Sequence, residues 1–512
     1  MKKFKKLTSL VLAFAMVFAM SMTALAAEAD LSGHVFKAYQ IFSGSQTDDT
    51  DDATLARVEW GTGVNSSALL TAVKADATIG ADFTDCSTAA DVAAVLANYT
   101  DKSDEAEAFA KLAYANKTGS GAEIGDTLAA GYYLVVDETV FAEGAENTVK
   151  NLALLQLTKK EAFEIENKTD VPEMVKKVDD ENDSVMGDGG EDSAVWNDSA
   201  DYDIGDEVPF KLTGTVADNY DDYAQYYFAF HDVEETGLTF LPNTVVVKVD
   251  GVTITKGYEV VTDCEDGCTF EVVFENLKTV AAAEAGSEIT VEYKSTLNTA
   301  AKIGDEGNVN KARLEYSNNP NAVQSGSGKP EDTGFTPWDN VIVFTYQVNI
   351  TKTDGTDELT GAKFELYKWI ATGSGEEDGD WSLVKAYTGG TESVFGFTGL
   401  DDGTYKLVET EAPAGYNKVA DITFTVTASH NIVWEAGERN DVLVSLTGNK
   451  VTGEITFTAD KEEGSLNANV VNNKGTVLPE TGGMGTTLFY VIGSILVLGA
   501  AVALITKKRM SK

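Results

Sequence analysis

Along most of this chain apolar and polar positions alternate with a period of two, in short runs broken by Gly, Asn and Asp. That period belongs to strands with one buried face. From about 171 to 343 it predicts strands at 208–212, 226–230, 244–249, 270–274, 289–293 and 311–316. From about 344 to 477 it predicts strands at 346–352, 363–369, 403–409, 422–426, 442–446, 455–458 and 468–471. Two successive all-β units with this spacing predict tandem immunoglobulin-like β-sandwiches. The stretch 28–170 mixes periods instead. A strand at 35–42 leads into helices at 66–77, 87–99 and 103–116, and strands return at 132–136 and 152–157. Ser87 and Ser103 stand at N-cap positions, with Asp104 and Glu105 in the first turn of the third helix. The fold class is mainly β, with helices inserted into the N-terminal domain. The segment 318–336, rich in Asn, Pro, Ser and Gly, reads as a long loop near the junction of the two sandwiches.

Each sandwich breaks its own alternation with the same three residue types. Lys176 shares a face with Met174 and Val178, and Lys352 ends the face of Val348 and Ile350. Asp232 follows Tyr226, Phe228 and Phe230, while Glu409 follows Tyr405 and Leu407. Asn310 precedes Ala312, Leu314 and Tyr316, and Asn472 follows Ala468 and Val470. Asn308 lies on the face of Asn310 and Lys177 adjoins Lys176, so the middle set has rivals. Such strand-end residues either emerge into solvent or point inward, where a charge is costly unless paired or lost. Pointed inward, burial lowers the lysine pKa and raises that of the acid, favouring a neutral amine beside a protonated carboxyl. The amine is then a nucleophile and the acid can polarise the asparagine carboxamide. Attack on the amide carbon forms a Lys–Asn isopeptide bond and expels ammonia, once per site and on the same chain.

The two ends carry different signals. Lys2, Lys3, Lys5 and Lys6 precede an apolar run from 7 to 23 and the small residues Ala24-Leu25-Ala26, the order of a secretory signal peptide over 1–27. At the other end Leu478-Pro479-Glu480-Thr481-Gly482 is followed by an apolar stretch at 488–505, read as a transmembrane segment, and by Lys507-Lys508-Arg509. Between them, 82 acidic against 39 basic residues leave a formal charge of -43, which argues against nucleic-acid binding. Three cysteines exclude a disulfide framework; Cys264 and Cys268 flank a tight turn and either pair or remain free thiols. The three histidines are scattered, and the acidic clusters at 48–52 and 179–183 lack the spacing of a calcium loop and read as solvated. No metal or cofactor is expected.

The C-terminal motif, apolar run and basic tail together resemble the sorting signal of Gram-positive surface proteins of the LPxTG class. The run Tyr405-Lys406-Leu407-Val408-Glu409-Thr410-Glu411-Ala412-Pro413-Ala414-Gly415-Tyr416 resembles the E-box of Gram-positive pilins, with Glu409 at its glutamate. Lys352-Thr353-Asp354 with Leu359-Thr360-Gly361-Ala362-Lys363-Phe364, and Val470-Val471-Asn472-Asn473-Lys474-Gly475, look like the opening and closing strands of a collagen-adhesin B-type (CnaB) domain. Pro172-Glu173-Met174-Val175-Lys176 and the run from Gly307 to Pro320 are similar to the A-type domain of backbone pilins.

The resemblance implies a division into 28–170, 171–343, 344–477 and a sorting signal at 478–512. It implies isopeptide bonds Lys352–Asn472 and Lys176–Asn310, assisted by Glu409 and Asp232. It also implies cleavage by a sortase between Thr481 and Gly482, and transfer of Thr481 to a lysine of an identical subunit. Lys168 occupies the expected place without the Tyr-Pro that precedes the family's lysine, and Lys159 and Lys160 are its rivals. The implied partners are sortase, further copies of the chain, peptidoglycan, accessory pilins and host surface ligands. The implied product is a secreted, wall-anchored fimbria that is not an enzyme. A monomeric wall-anchored adhesin for a host protein or glycan is the alternative.

Overall fold

The computed structural model describes residues 33–46, 55–100, 103–123, 128–157, 165, 167–180, 195–322, 328–371, 379–433, 439–475 and 497. The signal peptide, the Leu478–Gly482 motif, the apolar run at 488–505 apart from residue 497, and the lysines 159 and 160 lie outside them. Among the described residues no helix is long and apolar enough to cross a membrane.

In the N-terminal region a sheet runs in the order Leu55–Trp60, Phe36–Gln46, Gly131–Asp137, Leu154–Leu157, with Ala122–Glu123 added to Phe36–Gln46. Helices Ser66–Ala75, Ala89–Leu96 and Asp104–Ala115 fill the connection between its strands. They pack Leu69, Val73, Val92 and Phe109 against Ile41, Leu134 and Val136, all buried. Ser103 caps the third helix as predicted, accepting from Ala106 N at 3.3 Å. The second is capped by Thr88 and not by Ser87. Thr88 and Asp91 form a reciprocal capping box, whose carboxylate also takes the Ser87 N–H and hydroxyl.

The middle region is a sandwich of two sheets. One runs Val252–Ile254, Leu238–Val249, Glu288–Leu297, Glu207–Thr215, Glu173–Asp179, Trp196–Asn197. The other runs Glu259–Val261, Phe270–Phe274, Phe228–Glu234, Asn308–Ser317, Asp339–Phe344, Ser199–Asp201, with Thr333–Phe335 beside Asn308–Ser317. Phe210, Phe228, Phe230, Phe270 and Tyr293 fill the space between them.

The C-terminal region is a second sandwich. Its four-stranded sheet is ordered Val394–Leu400, Tyr346–Thr353, Ser465–Val471, Phe457–Asp460, and its five-stranded sheet Gly379–Tyr387, Lys363–Ala371, Gly403–Glu411, Ile422–His430, Leu443–Thr452. The first and last of its strands in sequence, Tyr346–Thr353 and Ser465–Val471, pair in parallel.

Two expectations need correction. The segment around 318–336 does not sit between the sandwiches. Its described parts, 318–322 and 328–336, include a short strand and pack on the N-terminal region. Asn321 Nδ2 donates to Asn151 O at 2.9 Å, and Asn321 Oδ1 accepts from Ala153 N at 2.6 Å. Polar side chains here replace backbone partners that an irregular segment lacks. Nor are Asp179 and Asp180 freely solvated. Asp179 ends a strand and accepts from Val195 N at 3.0 Å. Asp180 is half-buried at the boundary of the two sandwiches, where burial pushes its carboxyl up to about 7.

Candidate functional site

Parallel pairing in the C-terminal sandwich sets Lys352 opposite Val470. Asn472 follows two residues later, held by its N–H to Thr353 O at 3.0 Å. Glu409 reaches in from the facing sheet, and all three side chains are fully buried. Lys352 Nζ donates to Asn472 Oδ1 at 2.6 Å and to Val470 O at 2.7 Å. Asn472 Nδ2 donates to Glu409 Oε1 at 2.8 Å, and Glu409 Oε2 accepts from Val419 N at 2.8 Å. Lys352 Nζ stands 3.8 Å from Glu409 Oε1. Burial pushes the Lys352 ammonium down to about 8 against the pull of Glu409. The amine therefore touches one end of a carboxamide whose other end is held by an acid. That arrangement can transfer the acyl group from ammonia to lysine.

In the middle sandwich the three chosen residues also meet, with a different wiring. Lys176 comes from one sheet, while Asp232 and Asn310 come from adjacent strands of the other. All are fully buried. Lys176 Nζ contacts Asp232 Oδ2 at 2.5 Å and Tyr293 OH at 2.7 Å. The tyrosine donates to the same Asp232 oxygen at 2.7 Å and accepts from Asn310 Nδ2 at 2.9 Å. Burial pushes the Lys176 pKa down and the Asp232 pKa up, each opposed by the other's charge. The pair therefore leans towards neutral amine and neutral acid. Asn310 Oδ1 is buried and has no hydrogen-bond partner among the described residues.

The rivals separate from this site. Asn308 closes a local turn, donating to Lys302 O and Val343 O at 3.1 Å each and accepting from Lys302 N at 2.9 Å. The Lys177 ammonium pairs with Asp198 at the sandwich edge.

Two members of the middle cluster escaped sequence reasoning. Glu234 lies opposite Asn310 in register and 3.5 Å from its Nδ2, and burial with the neighbouring Asp232 pushes its carboxyl up to about 8. Tyr293 is the other. Both signals were present: Glu234 is two residues past Asp232 on one face, and Tyr293 continues the face of Ile289 and Val291. A third buried lysine was also missed. Lys368 shares the inward face of Phe364 and Leu366 and bonds Asp203 at 2.6 Å and Asp401 at 2.5 Å, tying the two sandwiches together.

Lys168 lies between the N-terminal sheet and the first strand of the middle sandwich. Its N–H donates to Asn151 Oδ1 at 2.8 Å, and its ammonium pairs with Glu107 of the third helix at 2.8 Å with 21% of the side chain exposed. Cys264 and Cys268 form a disulfide across their turn, and Cys86 is buried and free. The histidines, scattered in sequence, are not isolated in the fold. His231 lies among Asp266, Glu271 and Glu315, and His430 near Asp180 and Asp201.

Comparison with known proteins places these features. Residues 204–320 match the model of the Gram-positive pilin backbone subunit 2, Cna-B-like domain. Residues 346–439 match the SpaA prealbumin-like fold domain, and 470–512 the LPXTG cell wall anchor motif. The chain is 28% identical over 333 residues to the trypsin-resistant surface T6 protein of Streptococcus pyogenes serotype M6, covering 53% of this chain and 59% of that protein. It is 28% identical over 280 residues to the fimbrial subunit type 1 of Actinomyces viscosus, covering 47% and 48%. The chain thus spans between 48% and 59% of the length of these curated relatives. Among solved structures it is similar to the T6 backbone pilin of serotype M6 Streptococcus pyogenes, with a TM-score of 0.47 at 17% identity over 87% of this chain and 97% of that one. The full-length major pilin SpaD of Corynebacterium diphtheriae gives 0.45 at 18% over 86% and 93%. The chain therefore carries pilin-type domains and a cell wall anchor, and is a wall-anchored surface protein.

Proposed function

We propose, for a chain built of pilin-type domains and ending in a cell wall anchor motif, that it is the backbone subunit of a covalently polymerised surface pilus. The observation that carries this reading is the match of residues 204–320 to the pilin backbone model. The domains divide as 28–170, 171–343 and 344–477, and a sortase cleaves between Thr481 and Gly482. The Thr481 acyl group passes from the sortase cysteine to the Lys168 amine of another copy. The same patch on each subunit thereby meets a different patch on the next, a head-to-tail contact that does not close and so gives a filament. Lys168 must leave Glu107 to react, which makes its ion pair a resting state.

Within each subunit, Lys352 attacks the Asn472 carboxamide carbon. The Nζ–Cγ bond forms, the Cγ–Nδ2 bond breaks, and ammonia leaves carrying the proton the amine gives up. Glu409 stabilises the intermediate by its hydrogen bond to the amide and shuttles that proton. Lys176 and Asn310 react likewise with Asp232 as the acid. The chain acts as an enzyme on no other molecule.

The deciding experiment is denaturing electrophoresis of wall extracts. A ladder of high-mass species that collapses to monomer in Lys168→Ala supports the polymer. A single monomer band from the unaltered chain refutes it and favours the wall-anchored adhesin.

A further inference from the structure

The boundary between the two sandwiches gathers acids from both sides. Asp180, just past the strand Glu173–Asp179, Asp201, which ends Ser199–Asp201, and His430, which ends Ile422–His430, offer ligand atoms all within 4.8 Å of one another. Two of these residues belong to the middle sandwich and one to the C-terminal sandwich. Asp203, Asp401 and Asp402 lie close by. Lys368 stands against them, already engaged by Asp203 and Asp401.

The hydrogen bonds around His430 fix which nitrogen carries its proton. Ser199 Oγ donates to Asn431 O at 2.6 Å and lies 2.7 Å from His430 Nδ1. A hydroxyl has one proton, and here it goes to the carbonyl, so the serine accepts from Nδ1–H. In the neutral ring, Nε2 is left with a lone pair that no donor among the described residues takes up. That lone pair stands 3.7 Å from Asp180 Oδ1, too far for a hydrogen bond. A lone pair held among carboxylate oxygens is repelled by them unless a cation lies between.

We propose that Asp180, Asp201 and His430 form an inter-domain site for a divalent transition-metal ion of the zinc or manganese class. One imidazole nitrogen with two carboxylates suits those ions better than calcium or magnesium, which take oxygen ligands. Three protein ligands leave a position for water, and Ser199 orients the imidazole as outer partners of metal-bound histidines do. The other such group, at His231, is a poorer candidate, because Cys268 is committed to its disulfide. With ligands on both sides, the ion sets the angle between the sandwiches.

The test is calorimetric titration of the purified full chain, stripped with chelator, using zinc, manganese and, as control, calcium. The expected result is one zinc or manganese ion per chain and no calcium. Affinity should fall at least tenfold in Asp180→Asn and His430→Ala, and about 10- to 100-fold in Ser199→Ala, which removes the orienting partner. Asp180 is only half-buried, so its variant is read against the metal-free melting curve of the unaltered chain to confirm folding. No binding by the unaltered chain, or equal binding by the Asp180 and His430 variants, overturns the proposal. So does a melting temperature that climbs on acidification through pH 7 yet ignores metal, because a shared carboxyl proton then fills the gap.

Discussion

The two buried triads use the same three kinds of side chain and connect them differently. In the C-terminal sandwich Lys352 and Asn472 sit on neighbouring strands of one sheet, and the acid crosses from the other. In the middle sandwich Lys176 faces Asp232 and Asn310 across the core, so a bond there staples sheet to sheet. The acids differ in partner as well. Glu409 holds the amide, leaving the amine to touch the carboxamide oxygen directly. Asp232 holds the amine, and Tyr293 stands between that pair and the amide. One site has its amine and carboxamide already in contact, while in the other a tyrosine hydroxyl lies between them, so the proposed reaction there would pass through a relay. A shared residue set therefore does not imply a shared order of proton transfers.

The largest test of this contrast is Glu409→Ala. The C-terminal bond should fail while the middle bond forms, leaving the chain one ammonia heavier than the doubly linked form by intact mass. Residues 352 and 472 are 120 positions apart. Losing closure of a loop that long costs about 5 kcal/mol, on the order of 20 °C in the Tm of that domain. A mass unchanged from the unmodified sequence in the parent chain removes both bonds and the comparison with them.

Tyr293→Phe should act only on the middle site. It slows bond formation by roughly 10²-fold, the size of a lost proton relay, while the final mass stays the same. Mass measured over time in freshly synthesised, still unlinked chain from cell-free translation reads the rate. An unchanged rate would reduce Tyr293 to a packing residue and leave the contrast purely architectural.

The smallest effect concerns pH. The nucleophile at the C-terminal site is the neutral amine, and the Lys352 pKa lies at about 8. Its bond should form faster as pH rises to about 8 and level off above. Before the bond forms, the folded state binds fewer protons than the unfolded one between that value and the ordinary lysine value of 10.5. Stability of the unlinked domain therefore rises with pH across that window. A rate that does not rise from pH 6 to 8 would show that deprotonation of the Lys352 ammonium does not govern the step.

Much of this was legible because strand alternation reports burial directly. Lys176, Lys352, Asp232, Glu409, Asn310 and Asn472 were read from period-two faces, and all six are fully buried. The same rule applied one strand further would have found Tyr293 and Lys368. It failed where alternation is weak. Gly379–Tyr387 is mostly exposed on both faces, and Val394–Leu400 carries two glycines, so neither strand was predicted. What sequence could not supply was adjacency between distant segments. Nothing in the run from 318 to 336 says that its asparagines replace backbone partners for the N-terminal region. Nor does any spacing place His430 beside Asp180. The close passage of Gly304 against Gly464 was equally silent, although a Cβ at Gly464 would stand 2.4 Å from Gly304 Cα.

The parallel pairing of Tyr346–Thr353 with Ser465–Val471 decides where a pull on the ends would travel. Under the proposed Lys352–Asn472 bond, force entering along the first strand would leave it at Lys352, cross the amide, and exit from Asn472. The residues between them hang outside that line. The same holds for the stretch from Lys176 to Asn310. With both bonds in place, the taut spine between them shrinks to residues 310–352, which include the strand Asp339–Phe344. In the proposed fibre, the rest of each sandwich is scaffolding that can loosen or gain insertions without lengthening it.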